Sequence, residues 1–433
     1  MEQDIDVDVH PVYPVSWRAG AFNGLLRGTT KPISAILLRH SVGMTVLARL
    51  AALGERLPLM APPEVEIVKD SDLLHPTPCP HETPLAPPTP GSPPAMNRPT
   101  ESEVGSAPVG GARSAEEPGR GTRSGGGDGG TPAGEEVMRT PARRGSACGS
   151  EWVRAGHDLD EDKVLLYFHG GAYFLCSPAT HRPITWRLSA VARRPVFAFD
   201  YRQGPEHSLA ESLADALGAY DELLDRGYDA RDIVLGGDSA GGHLTLATLL
   251  ALRDRGAPLP AAAICLSPWA DLSDARRSAN RWADPILPAG RVDWLARRWT
   301  AGLDRRDPLV SPVYGDYSGL PPLMVVTGST EVLRDEGRRV ALQARRAGVK
   351  VTYEEWHRMP HAFPILADVL PEARLIFRHI ERFLLAVSAG SGALADSAAD
   401  PSGPGPEQDG SLSALSARDA VPPQRPGPDS AAA

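Results

Sequence analysis

The chain has 433 residues, a length that permits two or three domains, and its 43 glycines and 43 prolines are unevenly distributed. The formal net charge is −9 and no long run of Lys or Arg occurs, which argues against a nucleic-acid partner. The four cysteines have neither metal-site nor disulfide-framework spacing, so we expect no bound metal and a reducing, cytoplasmic compartment. They are Cys79, Cys148, Cys176 and Cys265.

Residues 1–63 are predicted to form an N-terminal helical cap. From about Trp17 to Leu57 apolar residues recur at helical spacing, which indicates two or three short amphipathic helices. Such helices could cover a site and touch a membrane surface, or simply pack as a lobe, and the scarcity of basic residues favours packing. The acidic N-terminus predicts no signal peptide, and charged residues interrupt the most apolar stretch, 33–53, so no membrane span is expected.

Residues 64–75 contain the first predicted strand, and the composition then changes abruptly. From 76 to 150 the chain is rich in Pro, Gly, Ser and Thr and poor in aromatic residues, which predicts a disordered insert. A second strand at Glu151–Arg154 follows, so the insert stands where a short hairpin loop would suffice. An interaction role for the insert stays open. Residues 388–433 are predicted to form a disordered tail for the same compositional reason.

Residues 151–387 alternate short apolar runs with helical segments. This alternation is typical of parallel strands joined by crossover helices, and it predicts an α/β protein with a mostly parallel, doubly wound sheet of about eight strands. The runs that follow the strand at 151–154 are 164–168, 195–199, 233–238, 262–266, 323–327 and 351–356.

One of these runs leads directly into a nucleophile-elbow pattern. The apolar segment from Ile233 is followed by Gly237-Asp238-Ser239-Ala240-Gly241, and a helical segment begins at Leu244. This is G-x-S-x-G between a strand and a helix, the context in which a serine is exposed on a tight turn. The N-terminus of the following helix directs a partial positive charge to the same point. We therefore predict Ser239 as a catalytic nucleophile.

Glycines after the preceding strand suggest an oxyanion hole. His169-Gly170-Gly171-Ala172 follows the strand at 164–168, where backbone N–H groups can stabilise a developing oxyanion together with the N–H of Ala240. The acid and the base should follow Ser239 in that chain order.

Both missing partners have two candidates. Glu331 and Asp335 follow the strand at 323–327, and we favour Glu331 because Asp335 has a sufficient role as a helix-opening acid. His357 and His361 follow the last strand, and we favour His361 because it lies in the loop beyond the strand's end.

The chain from about Glu151 to Leu385 resembles the hormone-sensitive lipase family of α/β-hydrolase esterases. Five motifs carry the resemblance, and they occur in the order and spacing of that family. They are His169-Gly170-Gly171-Ala172, Asp200-Tyr201-Arg202 with Pro205-Glu206-His207, Gly237-Asp238-Ser239-Ala240-Gly241-Gly242, Leu333-Arg334-Asp335-Glu336, and Pro360-His361-Ala362-Phe363. The resemblance implies an α/β-hydrolase fold with an N-terminal cap and a cofactor-free carboxylesterase for short- or medium-chain esters.

Carried over by motif, the resemblance makes Ser239 the nucleophile and His361 the base. It assigns the oxyanion N–H groups to Gly170, Gly171 and Ala240, with Asp238 supporting the site through hydrogen bonds and His169 beside it. Asp200 and Arg202 are expected to form a structural ion pair.

The sequence departs from the family pattern at three places. Ala172 replaces a common third glycine, Gln203-Gly204 replaces the usual Leu-Ala before Pro205, and Glu331 stands where Asp is more common. Because the same triad and the same fold can serve other functions, three alternatives to an esterase stay open: an acyltransferase or a lactone hydrolase using the same triad, and a non-catalytic small-molecule receptor on the same fold.

Overall fold

The computed structural model describes residues 16–37, 61–62, 64–70, 149–273, 280 and 283–399. Most of the predicted insert and tail, and the cap beyond residue 37 apart from 61–62, lie outside these residues. The chain divides into two units, Met1–Val387 and Ser388–Ala433. All described strands and helices lie in the first unit, except for the end of the last helix.

The first unit is built on one eight-stranded sheet with the order β1-β2-β4-β3-β5-β6-β7-β8. The strands from β3 onward pair in parallel, whereas β1 with β2 and β2 with β4 pair antiparallel. The predicted mostly parallel α/β-hydrolase sheet of about eight strands is thus confirmed. The strands are β1 Glu66–Lys69, β2 Glu151–Arg154, β3 Val164–Phe168, β4 Val196–Phe199, β5 Ile233–Asp238, β6 Ala262–Leu266, β7 Leu323–Gly328 and β8 Val351–Trp356.

Helices cover both faces of the sheet, and buried side chains of each strand alternate between two apolar clusters. In β3, for example, Leu166 packs into one cluster and Leu165 into the other. Because both faces are buried, the central strands read as continuous apolar runs rather than alternating ones. The described helices are α1 Trp17–Gly28, α2 Thr30–Leu37, α3 Arg182–Ala192, α4 Leu209–Asp225, α5 Ala240–Asp254, α6 Ala289–Trp299, α7 Arg334–Arg346 and α8 Pro371–Ala399.

The last helix corrects the predicted start of the tail. Residues 388–399 were expected to be disordered, but the backbone of α8 continues through them to Ala399. A helix that is already nucleated by packing adds residues at little cost, and the five alanines of this extension favour helix although Gly390 and Gly392 oppose it.

The ends of the predicted insert lie next to each other. Lys69 pairs with Glu151 across β1 and β2, and the Asp70 N–H donates to the Ser150 carbonyl at 2.9 Å. The Asp200 N–H just beyond β4 donates to the Ser150 Oγ at 2.9 Å. The chain therefore leaves β1 and enters β2 at the edge of the sheet where β4 ends, which is also the edge that carries the site described below.

Polar side chains of α1 and α2 attach the N-terminal helices to loops at the same edge. The Asn23 Nδ2 donates to the Arg358 carbonyl at 2.9 Å. The Arg27 guanidinium donates to the Ala283 carbonyl at 2.6 Å, and the Lys31 Nζ to the Asp284 carbonyl at 2.7 Å. Within the part of the chain that the structure describes, none of the helices is both long enough and apolar enough to cross a bilayer.

Candidate active site

Ser239 occupies a strained turn between β5 and α5. Its backbone has φ 53° and ψ −114°, a conformation that is rare for a residue with a side chain. The Ser239 N–H donates to the Leu266 carbonyl at 2.9 Å, and the Ser239 carbonyl accepts from the Trp269 N–H at 3.0 Å. A Cβ at Gly241 would collide with the carbonyl of Phe168, so the turn requires a glycine there. The neighbouring strands thus fix the sharp turn that directs the hydroxyl outward.

Three side chains from three loops form one hydrogen-bonded line. The Ser239 Oγ lies 2.9 Å from the His361 Nε2, and the His361 Nδ1 lies 2.8 Å from the Glu331 Oε2. Glu331 is fully buried, whereas His361 and Ser239 are 6% and 9% exposed. The second Glu331 oxygen, Oε1, accepts from the Gly328 N–H at 2.9 Å. The residues predicted from the sequence as nucleophile, base and acid therefore meet.

The environment of this line favours a basic imidazole. Burial by itself lowers the pKa of His361, but the hydrogen bond and negative charge of Glu331 outweigh it and raise the pKa above 6.5. Burial raises the pKa of the Glu331 carboxyl, and the hydrogen bond to His361 opposes this shift. His361 is consequently held with its Nδ1–H directed at Glu331 and its Nε2 available to accept a proton from Ser239.

The two competing candidates lie elsewhere. Asp335 opens α7, where it is half-exposed and forms an ion pair with Arg334. His357 is exposed in the turn after β8. Neither makes a hydrogen bond with Ser239 or His361 among the described residues.

The predicted oxyanion assignment of Gly170 is wrong. Its N–H donates to the buried Asp238 carboxylate, with the nitrogen 3.0 Å from Oδ1, so this donor is already occupied. The N–H groups of Gly171, Ala172 and Ala240, by contrast, have no acceptor among the residues described. The two open donors of the glycine turn are therefore one residue further along the motif than the sequence predicts, whereas the third, Ala240, is at the predicted position.

The Asp238 carboxylate fixes the turn that follows β3 through hydrogen bonds. Its carboxylate accepts from the Tyr167 hydroxyl at 2.7 Å and lies 3.2 Å from the His181 Nε2, in addition to the bond from Gly170. Burial opposes ionisation of Asp238, but the charge and hydrogen bond of His181 lower the pKa of this carboxyl overall. His169 stacks on Tyr201 with ring centroids 4.6 Å apart. Asp238 thus joins the turn that carries Ser239 to the glycine turn through hydrogen bonds.

The expected ion pair between Asp200 and Arg202 is not formed. Arg202 instead makes a bidentate pair with the buried Asp215 of α4, with the Nη2 to Oδ1 distance at 2.7 Å. Asp200 Oδ1 lies 3.9 Å from the His169 Nε2. Tyr201 separates the two residues, and both lie beyond the end of β4 at Phe199, where the alternation of a strand no longer fixes the direction of their side chains.

Two residues that the sequence did not single out hold the loop of the candidate acid. The fully buried Asp284 accepts from the Val332 N–H with its Oδ2 at 2.8 Å, and its Oδ1 accepts from the backbone of Ile286 and Leu287. Asn280 Nδ2 donates to the carbonyls of Ser329 and Glu331. The only sequence signal for either residue was a polar side chain in an irregular stretch, which has no periodicity to interpret.

In the described residues, no group of three His, Cys, Asp or Glu side chains could hold a metal ion.

Comparisons with known proteins agree with this fold. Residues 165–365 match a family described as alpha/beta hydrolase fold. The chain is 44% identical over 229 residues to a protein named acetyl-hydrolase from Streptomyces hygroscopicus, covering 52% of this chain and 76% of that protein. A crystal structure of an esterase/lipase from an uncultured bacterium matches with a TM-score of 0.63 at 26% identity, covering 86% of this chain and 99% of the other. A crystal structure of an esterase from the bacterial hormone-sensitive lipase family matches with a TM-score of 0.52 at 40% identity, covering 54% and 80%.

The fold and these matches define an α/β-hydrolase. More narrowly, the chain belongs to the hormone-sensitive-lipase-like family of α/β-hydrolase esterases, and it is a carboxylic ester hydrolase. The family and the enzyme class predicted from the sequence are confirmed.

Proposed function

We propose that the protein hydrolyses short- to medium-chain carboxylic esters with Ser239, His361 and Glu331 as a catalytic triad. The observation that carries the proposal is the continuous hydrogen-bonded line from the Ser239 hydroxyl through His361 to the buried Glu331 carboxylate. A serine hydroxyl is a poor nucleophile alone, and such a line supplies both a base and a group that holds the base in the right tautomer.

In the first half of the reaction, the Ser239 Oγ attacks the ester carbonyl carbon while the His361 Nε2 takes its proton. The negative charge of the tetrahedral intermediate is stabilised by the open N–H groups of Gly171, Ala172 and Ala240 and by the N-terminus of α5. Glu331 stabilises the imidazolium. The intermediate then collapses, and the alcohol leaves with the proton that His361 returns.

In the second half, water replaces the alcohol. His361 takes a proton from the water, whose oxygen attacks the acyl-enzyme carbonyl, and the acid leaves as the proton returns to the Ser239 Oγ. The proton that leaves the Ser239 Oγ in the first half thus returns to it in the second, and the net reaction converts the ester and water into the alcohol and the acid.

The acyl preference is proposed from the name of one relative. The Streptomyces protein is called an acetyl-hydrolase, which supports a short acyl group for this chain as well. A series of p-nitrophenyl esters from acetate upward tests this proposal, because kcat/KM should be highest for the short members. A maximum at long chains would contradict it. Adding an alcohol acceptor to the same assay would reveal transfer in place of hydrolysis.

The nucleophile is tested by Ser239→Ala. We expect this variant to fold normally and to lose several orders of magnitude in kcat, because only binding and the oxyanion donors remain. Circular dichroism and thermal unfolding serve as the control for folding. A variant that keeps more than about a tenth of the wild-type kcat would exclude Ser239 as the nucleophile.

A further inference from the structure

The turn that carries two of the proposed oxyanion donors has an unusual backbone. Three consecutive residues have positive φ, at 120° for Gly171, 54° for Ala172 and 63° for Tyr173. Residues with a side chain rarely adopt such angles, and they keep them only where the surroundings impose them. Two of these three residues have a side chain, so the conformation of this turn must be held by contacts from outside it.

Three hydrogen bonds from other segments do so. The Trp299 Nε1–H donates to the Ala172 carbonyl at 2.9 Å, and the Gly204 N–H donates to the Tyr173 carbonyl at 2.7 Å. The Tyr173 hydroxyl lies 2.6 Å from the His243 Nδ1. His243 Nε2 lies 2.9 Å from the Val310 carbonyl, to which it can only donate, so its Nδ1 accepts the Tyr173 proton. Burial lowers the pKa of His243 to about 4, which keeps this arrangement neutral.

Trp299 reaches the turn only because residue 204 lacks a side chain. A Cβ at Gly204 would lie 2.5 Å from the Cζ3 of the Trp299 ring, closer than any real contact of that kind. The indole also packs against Phe174, with ring centroids 6.1 Å apart. The chain departs from the common family pattern at Ala172 and at Gly204, both beside the oxyanion motif. Both residues lie against the indole of Trp299.

We propose that Trp299 is a positioning residue for catalysis: its indole, admitted by Gly204, holds the Ala172 carbonyl, and thereby the backbone of the turn, so that the preceding N–H groups of Gly171 and Ala172 face the oxyanion. This inference rests on the proposed esterase function. It makes the last residue of α6 a determinant of transition-state stabilisation, although Trp299 need not touch the ester. Loss of the indole bond should weaken binding of the oxyanion while leaving ground-state binding of the ester nearly intact.

The test uses Trp299→Phe, which removes the Nε1–H and retains an aromatic ring. With p-nitrophenyl acetate, we expect kcat to fall about tenfold and KM to stay within about twofold, as for one lost hydrogen bond expressed in the transition state. A trifluoromethyl ketone, which forms an oxyanion adduct with the serine, should bind about tenfold more weakly. The matched control is Trp294→Phe in the same helix, which should alter neither value.

Gly204→Ala provides a second, independent variant that retains the indole. Its methyl group should displace the ring and reproduce the losses in kcat and ketone affinity. Phenylalanine lacks the outer ring atoms that the methyl would meet, so Gly204→Ala in the Trp299→Phe background should add little further loss.

The result that would overturn the inference is a fall in melting temperature for both variants with unchanged kcat and ketone affinity, because Trp299 would then serve packing alone. Additive losses in the double variant would also overturn it. Failure of the proposed function is distinguishable, since it would appear as activity retained by Ser239→Ala, whatever the Trp299 variants do.

Discussion

At the scale of single residues, we expect the charge of Glu331 to set the pH range in which His361, the proposed base, is neutral and can accept a proton. The base must be neutral, so kcat/KM should rise with pH through the pKa of His361, which Glu331 raises above 6.5. In Glu331→Gln this influence is lost while burial, which lowers the pKa, remains. We expect the midpoint of the pH–rate profile to move to lower pH. A midpoint that stays in place or moves upward would contradict the assigned pairing.

The size of the loss in kcat on substitution should distinguish Glu331 from Asp335 as the acid of the proposed triad. Glu331→Gln should lower kcat by roughly 10³ to 10⁴ because an amide favours the wrong imidazole tautomer. Asp335→Asn is the matched control, and it should cost at most about 1 kcal/mol of stability because Asp335 is half-exposed at the start of α7. The measurements are kcat from steady-state kinetics and the stability from thermal unfolding, for both variants. If Asp335→Asn loses turnover and Glu331→Gln keeps it, the assignment is wrong.

At the scale of elements, β1 and β2 form an antiparallel pair that should tolerate removal of the segment between them. Asp70 and Ser150 already lie at hydrogen-bond distance, at 2.9 Å between N and O, so a short turn can join the strands. We expect deletion of roughly residues 78–147, closed by a Gly-containing turn, to leave folding and kcat unchanged. Long loops cost little to close and little to lose.

The control for this deletion is a variant that shuffles the sequence of 78–147 without shortening it. Solubility, melting temperature and esterase kinetics are the measurements. A deletion variant that is insoluble or inactive, beside an active shuffled variant, would mean that the length of this segment matters to the fold or to the site.

At the scale of the whole molecule, the boundary between the two units predicts where the chain can be shortened. Among the described residues, those packed into the two apolar clusters end at Val387, and the proposed triad and the side chains that contact it all precede this residue. A chain ending at Val387 should therefore keep kcat and a melting temperature within about 2 °C of the full chain, because none of the described core residues is removed. Ending the chain at Phe377 instead removes Ile380 and Phe383 from the core, and this variant should unfold more easily.

The sequence by itself determined the class of fold and the three triad candidates. Apolar runs of strand length alternating with helices indicate a parallel sheet because such strands are buried on both faces. Ser239 could be identified because its strand, its small neighbours and its helix lie within a dozen consecutive residues. His361 and Glu331 followed from their order after Ser239 and from their places at strand ends.

Only the tertiary structure decided which backbone donors are open and what holds them. Gly170 looked like an oxyanion donor, but its N–H is taken by Asp238, which lies 68 residues away in sequence. The bond from Trp299 to Ala172 joins residues 127 apart. The physical reason is that spacing and periodicity encode local backbone geometry, whereas these hydrogen bonds depend on which distant segments the folded sheet brings into contact.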